Sequence, residues 1–311
     1  MLKYIYKGLL TIVFTCLTIV CFAQQFQVKS FEGLRPLSYA SVLNITKGKL
    51  YFTDEQGAVS VNLEIGDSLY ITYVGYKILR TKVVQLSQTF LLQQEDAILE
   101  PVQVVTCKDG IKHEHSNLIA GTAELNFGGV CCWTNGATNA RVAVMLKPGF
   151  DEVRLNAFSI WLKKALSAPK QSVQAPILFS FYSINEASML PGELLLNQQI
   201  IYYPKKEGKQ MVRVDSLQIK IEKPGMYVGI EFVYNEKYEW PIRYIDTAKG
   251  IDSVVVQFGA QIDGVYSKDF TLALYDYKKN NWSFAGRKNK STISEVHGTI
   301  KFAAELTSCK K

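Results

Sequence analysis

Thr53-Asp54-Glu55-Gln56-Gly57, the alternating run Val59-Ser60-Val61-Asn62-Leu63, and then Gly66-Asp67-Ser68-Leu69-Tyr70-Ile71-Thr72-Tyr73-Val74-Gly75-Tyr76-Lys77 form the stretch on which the fold class turns. Asp54, Gln56 and Gly57 are turn formers, and glycine tolerates the positive φ of a tight turn. Val59, Val61, Leu63 and Ile65 alternate with Ser60, Asn62 and Glu64, the period of a strand with one buried face. Gly66-Asp67 interrupts that run. The next strand, Leu69 to Val74, is rich in β-branched and aromatic residues. Gly75 stands where this strand must bend or approach another backbone, and Tyr76 follows as a large amphipathic plug.

Further strands are expected upstream at Pro36 to Val42, and downstream at Thr81 to Leu92 and Leu99 to Val105. From about Gln27 to Val105 the pattern resembles the carboxypeptidase regulatory-like domain, a small transthyretin-like β-sandwich. The resemblance is carried by Pro36 to Val42, the turn Thr53 to Gly57, the turn Gly66 to Leu69, the Val74-Gly75-Tyr76 element and Leu99 to Val105. It departs from the family at Gln27-Val28-Lys29-Ser30, where a Gly-x-Val opening is frequent. Members of that family stand beside zinc catalytic domains in carboxypeptidases, but nothing in this chain resembles such a domain.

At 311 residues the chain has room for two domains, and 48% hydrophobic with 20% charged residues is a globular composition. Residues 1–23 read as a secretory signal peptide. Lys3 and Lys7 precede the uncharged apolar run Gly8 to Phe22, and Cys21-Phe22-Ala23 puts small residues before a cleavage point at Gln24. The run is short of the ~20 residues of a spanning helix. Thr15 and Val20, rather than small residues, precede Cys16 and Cys21, which favours soluble export over lipidation. The expected location is the periplasm or an association with the outer membrane, with no membrane span in the mature chain.

Without Lys3 and Lys7, 33 basic residues stand against 28 acidic ones, with small clusters at Lys163-Lys164, Lys205-Lys206, Lys278-Lys279 and Lys310-Lys311. They lack an aromatic-interleaved stripe, so nucleic acid is not an expected partner. Four cysteines follow the leader: Cys107, Cys131, Cys132 and Cys309. In an exported chain they permit two disulfides, and at least one of the adjacent Cys131 and Cys132 is expected to pair with Cys107 or Cys309.

Residues 26–106 are thus expected to form the first sandwich, 107–117 a polar linker, and 118–311 a second, larger one. Strands in the second are expected at Arg141 to Leu146, Ile177 to Ser183, Gln198 to Tyr203, Met211 to Ile221, Gly225 to Tyr234, Ser253 to Phe258 and Phe270 to Tyr275. Pro191 to Leu195 reads as a turn, and Glu152 to Lys163 suits a helix or a buried strand equally. The order of elements resembles a jelly-roll-like module that follows regulatory-like domains in exported proteins of Gram-negative bacteria. The matching segments are Pro191 to Leu195, Val214 to Leu217 and Tyr227 to Phe232. The fold class is therefore all-β, with two β-sandwich domains after a signal peptide.

Chemical motifs are sparse. His113-Glu114-His115 places two rings on one strand face, but a transition-metal site needs three or four ligands, and the segment reads as solvated linker. His297 has no partner pattern. Nucleophile-elbow, zincin, phosphate-loop and dinucleotide signatures are absent from the sequence. Asp151/Glu152 or Asp263/Asp269 could serve a glycosidase, which needs two acids at a set separation. Tyr238, Trp240, Tyr244, Tyr266, Tyr275, Tyr277 and Trp282 fall in or beside turns, where aromatic faces could stack on sugars, although core packing is the commoner use. Sequons at Asn44, Asn281 and Asn289 matter only in a eukaryotic secretory route.

The expectation is a non-catalytic exported cell-envelope protein without catalytic, cofactor-binding or metal-binding residues. It would bind a protein or glycan partner. Two other readings stand beside it: an envelope hydrolase acting on glycans, and an accessory component of TonB-dependent uptake.

Overall fold

The structure is a computed structural model. It describes residues 25–61, 63–85, 87–95, 111–116, 125–127, 141–149, 153–164, 173–196, 198–233, 239–246, 251–258, 260–267, 271–277, 279–284 and 297–308. The segment 1–23 expected as a signal peptide, the strand expected at Leu99 to Val105, and Cys107, Cys131, Cys132 and Cys309 lie outside these residues. The architecture is all-β. Contacts divide the chain into two compact units, Met1–Lys47 with Tyr51–Gln94, and Gly48–Leu50 with Glu95–Lys311.

The first unit contains β1 (Gln25–Ser30), β2 (Ser41–Asn44), β3 (Lys49–Phe52), β4 (Ala58–Ser60), β5 (Ser68–Thr72), β6 (Leu79–Lys82) and β7 (Thr89–Leu92). They form two sheets, β4-β1-β7 and β3-β2-β5-β6. β1 pairs parallel with β7 and antiparallel with β4, and β5 pairs antiparallel with β2 and β6. Alternation puts Phe26 and Val28 of β1, Val42 of β2, Val59 of β4, Leu69 and Ile71 of β5, and Phe90 and Leu92 of β7 into one core. Burying each such side chain contributes about 1.5–3 kcal/mol.

The Thr53–Gly57 turn is held by its own side chains. The Asp54 carboxylate accepts the N–H groups of Gln56 and Ala58 at 2.9 and 2.8 Å. Buried Thr53 donates its hydroxyl to Leu37 O (2.6 Å) and accepts the Ala40 N–H (2.8 Å). Gly57 has φ +70, and a Cβ there would stand 2.7 Å from Val28 O. Gly75 has φ +78 and is the third residue of a turn closed by the Tyr76 N–H on Tyr73 O at 3.1 Å. That is the type II position which favours glycine. Tyr76 is half-buried against the core, its ring 5.4 Å from Tyr73.

Two strand expectations need correction here. Pro36 to Val42 is not a continuous strand: Tyr39 takes φ +60, and the strand starts at Ser41. Thr81 to Leu92 is two strands in different sheets, separated where the Val83 N–H turns onto Asp67 O at 2.9 Å.

In the second unit the strands are β8 (Ile111–Ser116), β9 (Leu125–Phe127), β10 (Arg141–Leu146), β11 (Val153–Lys164), β12 (Ile177–Ile184), β13 (Pro191–Leu194), β14 (Ile200–Tyr202), β15 (Gly208–Arg213) and β16 (Lys220–Ile221). They continue with β17 (Met226–Phe232), β18 (Glu239–Asp246), β19 (Ile251–Phe258), β20 (Ala260–Ser267), β21 (Leu272–Asp276), β22 (Asn281–Phe284), β23 (His297–Ile300) and β24 (Phe302–Ser308). A seven-stranded sheet has the order β13-β12-β17-β10-β21-β22, with β14 also on β12. An eight-stranded sheet has the order β23-β20-β11-β24-β8, with β15 and β16 on β11 and β9 on β20. Phe158 of β11 joins their inner faces, its ring 4.8 Å from Phe179 of β12 and 5.9 Å from Phe302 of β24. One buried cluster takes side chains from both sheets, which makes this unit a sandwich.

The residues 107–117 do not read as linker throughout. Ile111–Ser116 pairs with β24 along its whole length. It is polar because, in the order of that sheet, it is the last strand. Pro191–Leu194 is a strand on β12 rather than a turn. The run from Met211 to Ile221 is broken by a single 3₁₀ turn, Asp215–Leu217. The ambiguous segment Glu152 to Lys163 is strand β11, with a bulge between Leu155 and Ala157 that shifts its alternation.

Candidate functional site

The outer face of the eight-stranded sheet follows from register. Inward Phe158, Ile160 and Leu162 leave Ser159, Trp161 and Lys163 facing out. On β15, Arg213 lies opposite Ala157, Met211 opposite Ser159 and Lys209 opposite Trp161. On β24, Glu305 lies opposite Ala157 and Ala303 opposite Ser159. On β8, Glu114 lies opposite Glu305 and Lys112 opposite Thr307. The centre of the face carries small buried residues, Ala157, Ser159 and Ala303, with longer polar side chains toward both ends.

One end is a cleft of ≈ 390 Å³ lined by Lys112, His113, Glu114, Asn156, Arg213, Glu305 and Leu306. The Asn156 amide donates to the Thr307 hydroxyl at 2.5 Å, and His113 Nε2 is 2.8 Å from Ser308 Oγ. Amide, guanidinium and carboxylate groups together offer donors and acceptors of both kinds. At the other end stands Trp161, half-buried, with Lys209 Nζ 5.6 Å and Lys301 Nζ 5.4 Å from its ring centre. Buried Asp263 lies 2.5 Å from Lys163 Nζ and 4.0 Å from Lys301 Nζ.

Of the candidate acid pairs, Asp151/Glu152 and Asp263/Asp269, only Asp263 lies among the described residues. Asp263 is engaged by two lysines, and Asp151, Glu152 and Asp269 lie outside the described residues. On β8, His113 lies at the position opposite Leu306 and His115 at the position opposite Ala304. Among the described residues no group of three or more His, Cys, Asp or Glu is placed to hold a metal ion. His297 is on β23.

Tyr275 on β21 and Trp282 on β22 stand beside the turn that joins these strands, as expected, whereas Trp240 and Tyr244 are on β18 and Tyr266 is on β20. Tyr277 is in a turn but buried, and Tyr238 is outside the described residues. Tyr275, Tyr277 and Trp282 pack together on the outer side of the seven-stranded sheet. Their ring centres are 5.0 Å (Tyr275–Tyr277) and 5.1 Å (Tyr275–Trp282) apart, and Tyr182 lies 5.4 Å from Trp282. Arg141 lies over both Tyr275 and Tyr277, at 5.2 and 5.4 Å. Burial works against its charge, but the Glu231 carboxylate outweighs that and raises the guanidinium pKa above its ordinary value. Tyr277 is buried, and Tyr275 and Trp282 are half-buried against one another. Trp161 and the cleft were not picked out by sequence reading; the available signal was Lys163-Lys164 directly after Trp161-Leu162.

No known family model matches the chain, and no curated protein matches it. Among solved structures it is similar to the clostridial cysteine protease Cwp84 after propeptide cleavage, at 9% identity over 80% of this chain and 53% of that one, TM-score 0.35. The cysteine protease and lectin-like domains of Cwp84, a surface layer associated protein of Clostridium difficile, match at 9% identity over 83% and 47%, TM-score 0.35. The infectious bursal disease virus Gt strain matches at 8% identity over 91% and 57%, TM-score 0.20. The chain spans about half the length of the Cwp84 chains. Likeness at this level carries no functional argument.

Proposed function

We propose that the chain is an exported, non-catalytic binding protein of the cell envelope whose second unit holds a glycan on the outer face of the eight-stranded sheet. The first unit, read as a regulatory-like domain over residues 26–106, is a structural or docking module. The observation that carries the reading is the ≈ 390 Å³ cleft lined by Asn156, Arg213, Glu114 and Glu305 at the Leu155/Ala157 bulge. Planar polar groups of this kind match the vicinal hydroxyls of a sugar, and strands fix them without loop motion. Asp263, the acid a hydrolase reading would use, is committed to Lys163 and Lys301, which favours binding over hydrolysis.

A glycan array probed with the full chain tests this. The expected result is binding to a defined glycan set, with loss of at least tenfold in affinity on Arg213→Ala or Glu305→Ala and no released sugar. Release of reducing ends, or binding that both substitutions leave intact, would replace the reading.

A further inference from the structure

We infer that the end of this face around Trp161 is built for an acidic polysaccharide, which names the ligand class for the glycan-binding reading above and rests on it. Two lysine pairs far apart in sequence, Lys163-Lys164 and Lys205-Lys206, are brought to one end of the sheet by the β11–β15 pairing. In that pairing Leu162 lies opposite Gly208 and Trp161 opposite Lys209. Lys301 enters from the neighbouring strand, one residue before Phe302, which lies opposite Ile160. The acids on the same stretches are Glu207 and Asp263, so the balance is positive.

Trp161 positions two cations at this end, Lys209 and Lys301. Two ammonium groups sit within 5.6 Å of its ring centre, so part of their conformational entropy is lost before any ligand arrives. That geometry selects among polyanions. Single-stranded nucleic acid binds by stacking bases on open aromatic faces, whereas lysines lie over this ring. Membrane anchoring uses side chains that protrude into the headgroup layer, whereas Trp161 is half-buried in the sheet face. A polyuronate carries a carboxylate on every sugar and needs only cations at regular spacing. Outward side chains of one strand recur about every 7 Å, and strands lie about 4.8 Å apart, which supplies that spacing.

The test is titration of the full chain with polygalacturonate, with a neutral galactan, anionic phospholipid vesicles and oligothymidine as the other probes. Polygalacturonate is expected to bind tightest, with affinity falling as salt rises. The combined Lys205→Glu, Lys206→Glu and Lys209→Glu variant, altered at exposed positions, is expected to lose at least tenfold with an unchanged melting temperature. The milder Lys205→Gln, Lys206→Gln pair is expected to lose part of that. If galactan binds as well as polygalacturonate and the charge-reversed variant keeps it, the face binds glycans but the acidic class is wrong. If neither glycan binds, the acidic class is overturned, and the glycan array decides the wider glycan reading separately. Tighter binding to vesicles or oligothymidine than to polygalacturonate also overturns the inference.

Discussion

Arg141 and Glu231 lie directly opposite each other on β10 and β17, and both Nε and Nη2 of the arginine donate to one carboxylate oxygen, at 3.0 and 2.8 Å. The pair is shut away from water, with the Glu231 side chain 2% exposed and that of Arg141 13%. The rings of Tyr275 and Tyr277 accompany the guanidinium. The pair bridges two neighbouring strands of the seven-stranded sheet.

Removing one member should therefore cost far more than removing both. Glu231→Ala leaves a buried cation unpaired and is expected to destabilise the second unit by about 3–5 kcal/mol. The double change Arg141→Met with Glu231→Leu should recover most of that loss. Chemical denaturation of the three proteins measures it; equal stability of Glu231→Ala and the parent would show that the pair contributes little.

In the first unit, Gly57 and Gly75 separate two kinds of glycine requirement. Gly75→Ala meets only an unfavourable φ, expected to cost about 1–2 kcal/mol. Gly57→Ala meets that and a Cβ 2.7 Å from Val28 O, so its melting temperature should fall further. Similar thermal melts for the two variants would contradict this ordering.

Asp67 gives the first unit a pH dependence. The Glu64 N–H, the Asn44 amide and the Lys47 ammonium all approach its carboxylate, at 3.0, 2.7 and 3.5 Å. The Glu64 hydrogen bond is the largest cause that holds its pKa below the usual carboxylate value, and Asn44 and Lys47 act in the same direction. A depressed folded-state pKa adds stability above the unfolded value of about 3.9 and loses it as pH falls through the lower folded value. Melting temperature is expected to drop below about pH 4, and Asp67→Asn should flatten that part of the profile. A profile unchanged by Asp67→Asn would remove the assignment. Asn44, buried and bound to Asp67, is no glycan acceptor in this fold.

The sequence made the strands of high β-propensity legible, and it missed those whose partners decide them. Met226–Phe232 and Ile177–Ile184 stand out because both faces are buried and most of their residues are apolar. Phe302–Ser308 escaped because Ala303, Ala304 and Glu305 are weak strand formers, yet this strand pairs along most of β11. Ile111–Ser116 was read as linker because an edge strand is polar by design against aggregation. The Leu155/Ala157 bulge blurred β11 by putting its alternation out of phase. The two lysine pairs were legible, but not as one cluster: Lys163-Lys164 and Lys205-Lys206 stand far apart in sequence until β15 pairs with β11.

Hydrogen–deuterium exchange of the full chain with and without its bound glycan tests the central claim most directly. The account predicts slowed exchange on β15 and β24, at Lys209–Arg213 and Ala303–Thr307, with β2 and β5 of the first unit unchanged. Protection confined to the first unit, or to the aromatic cluster around Tyr275 and Trp282, would contradict it.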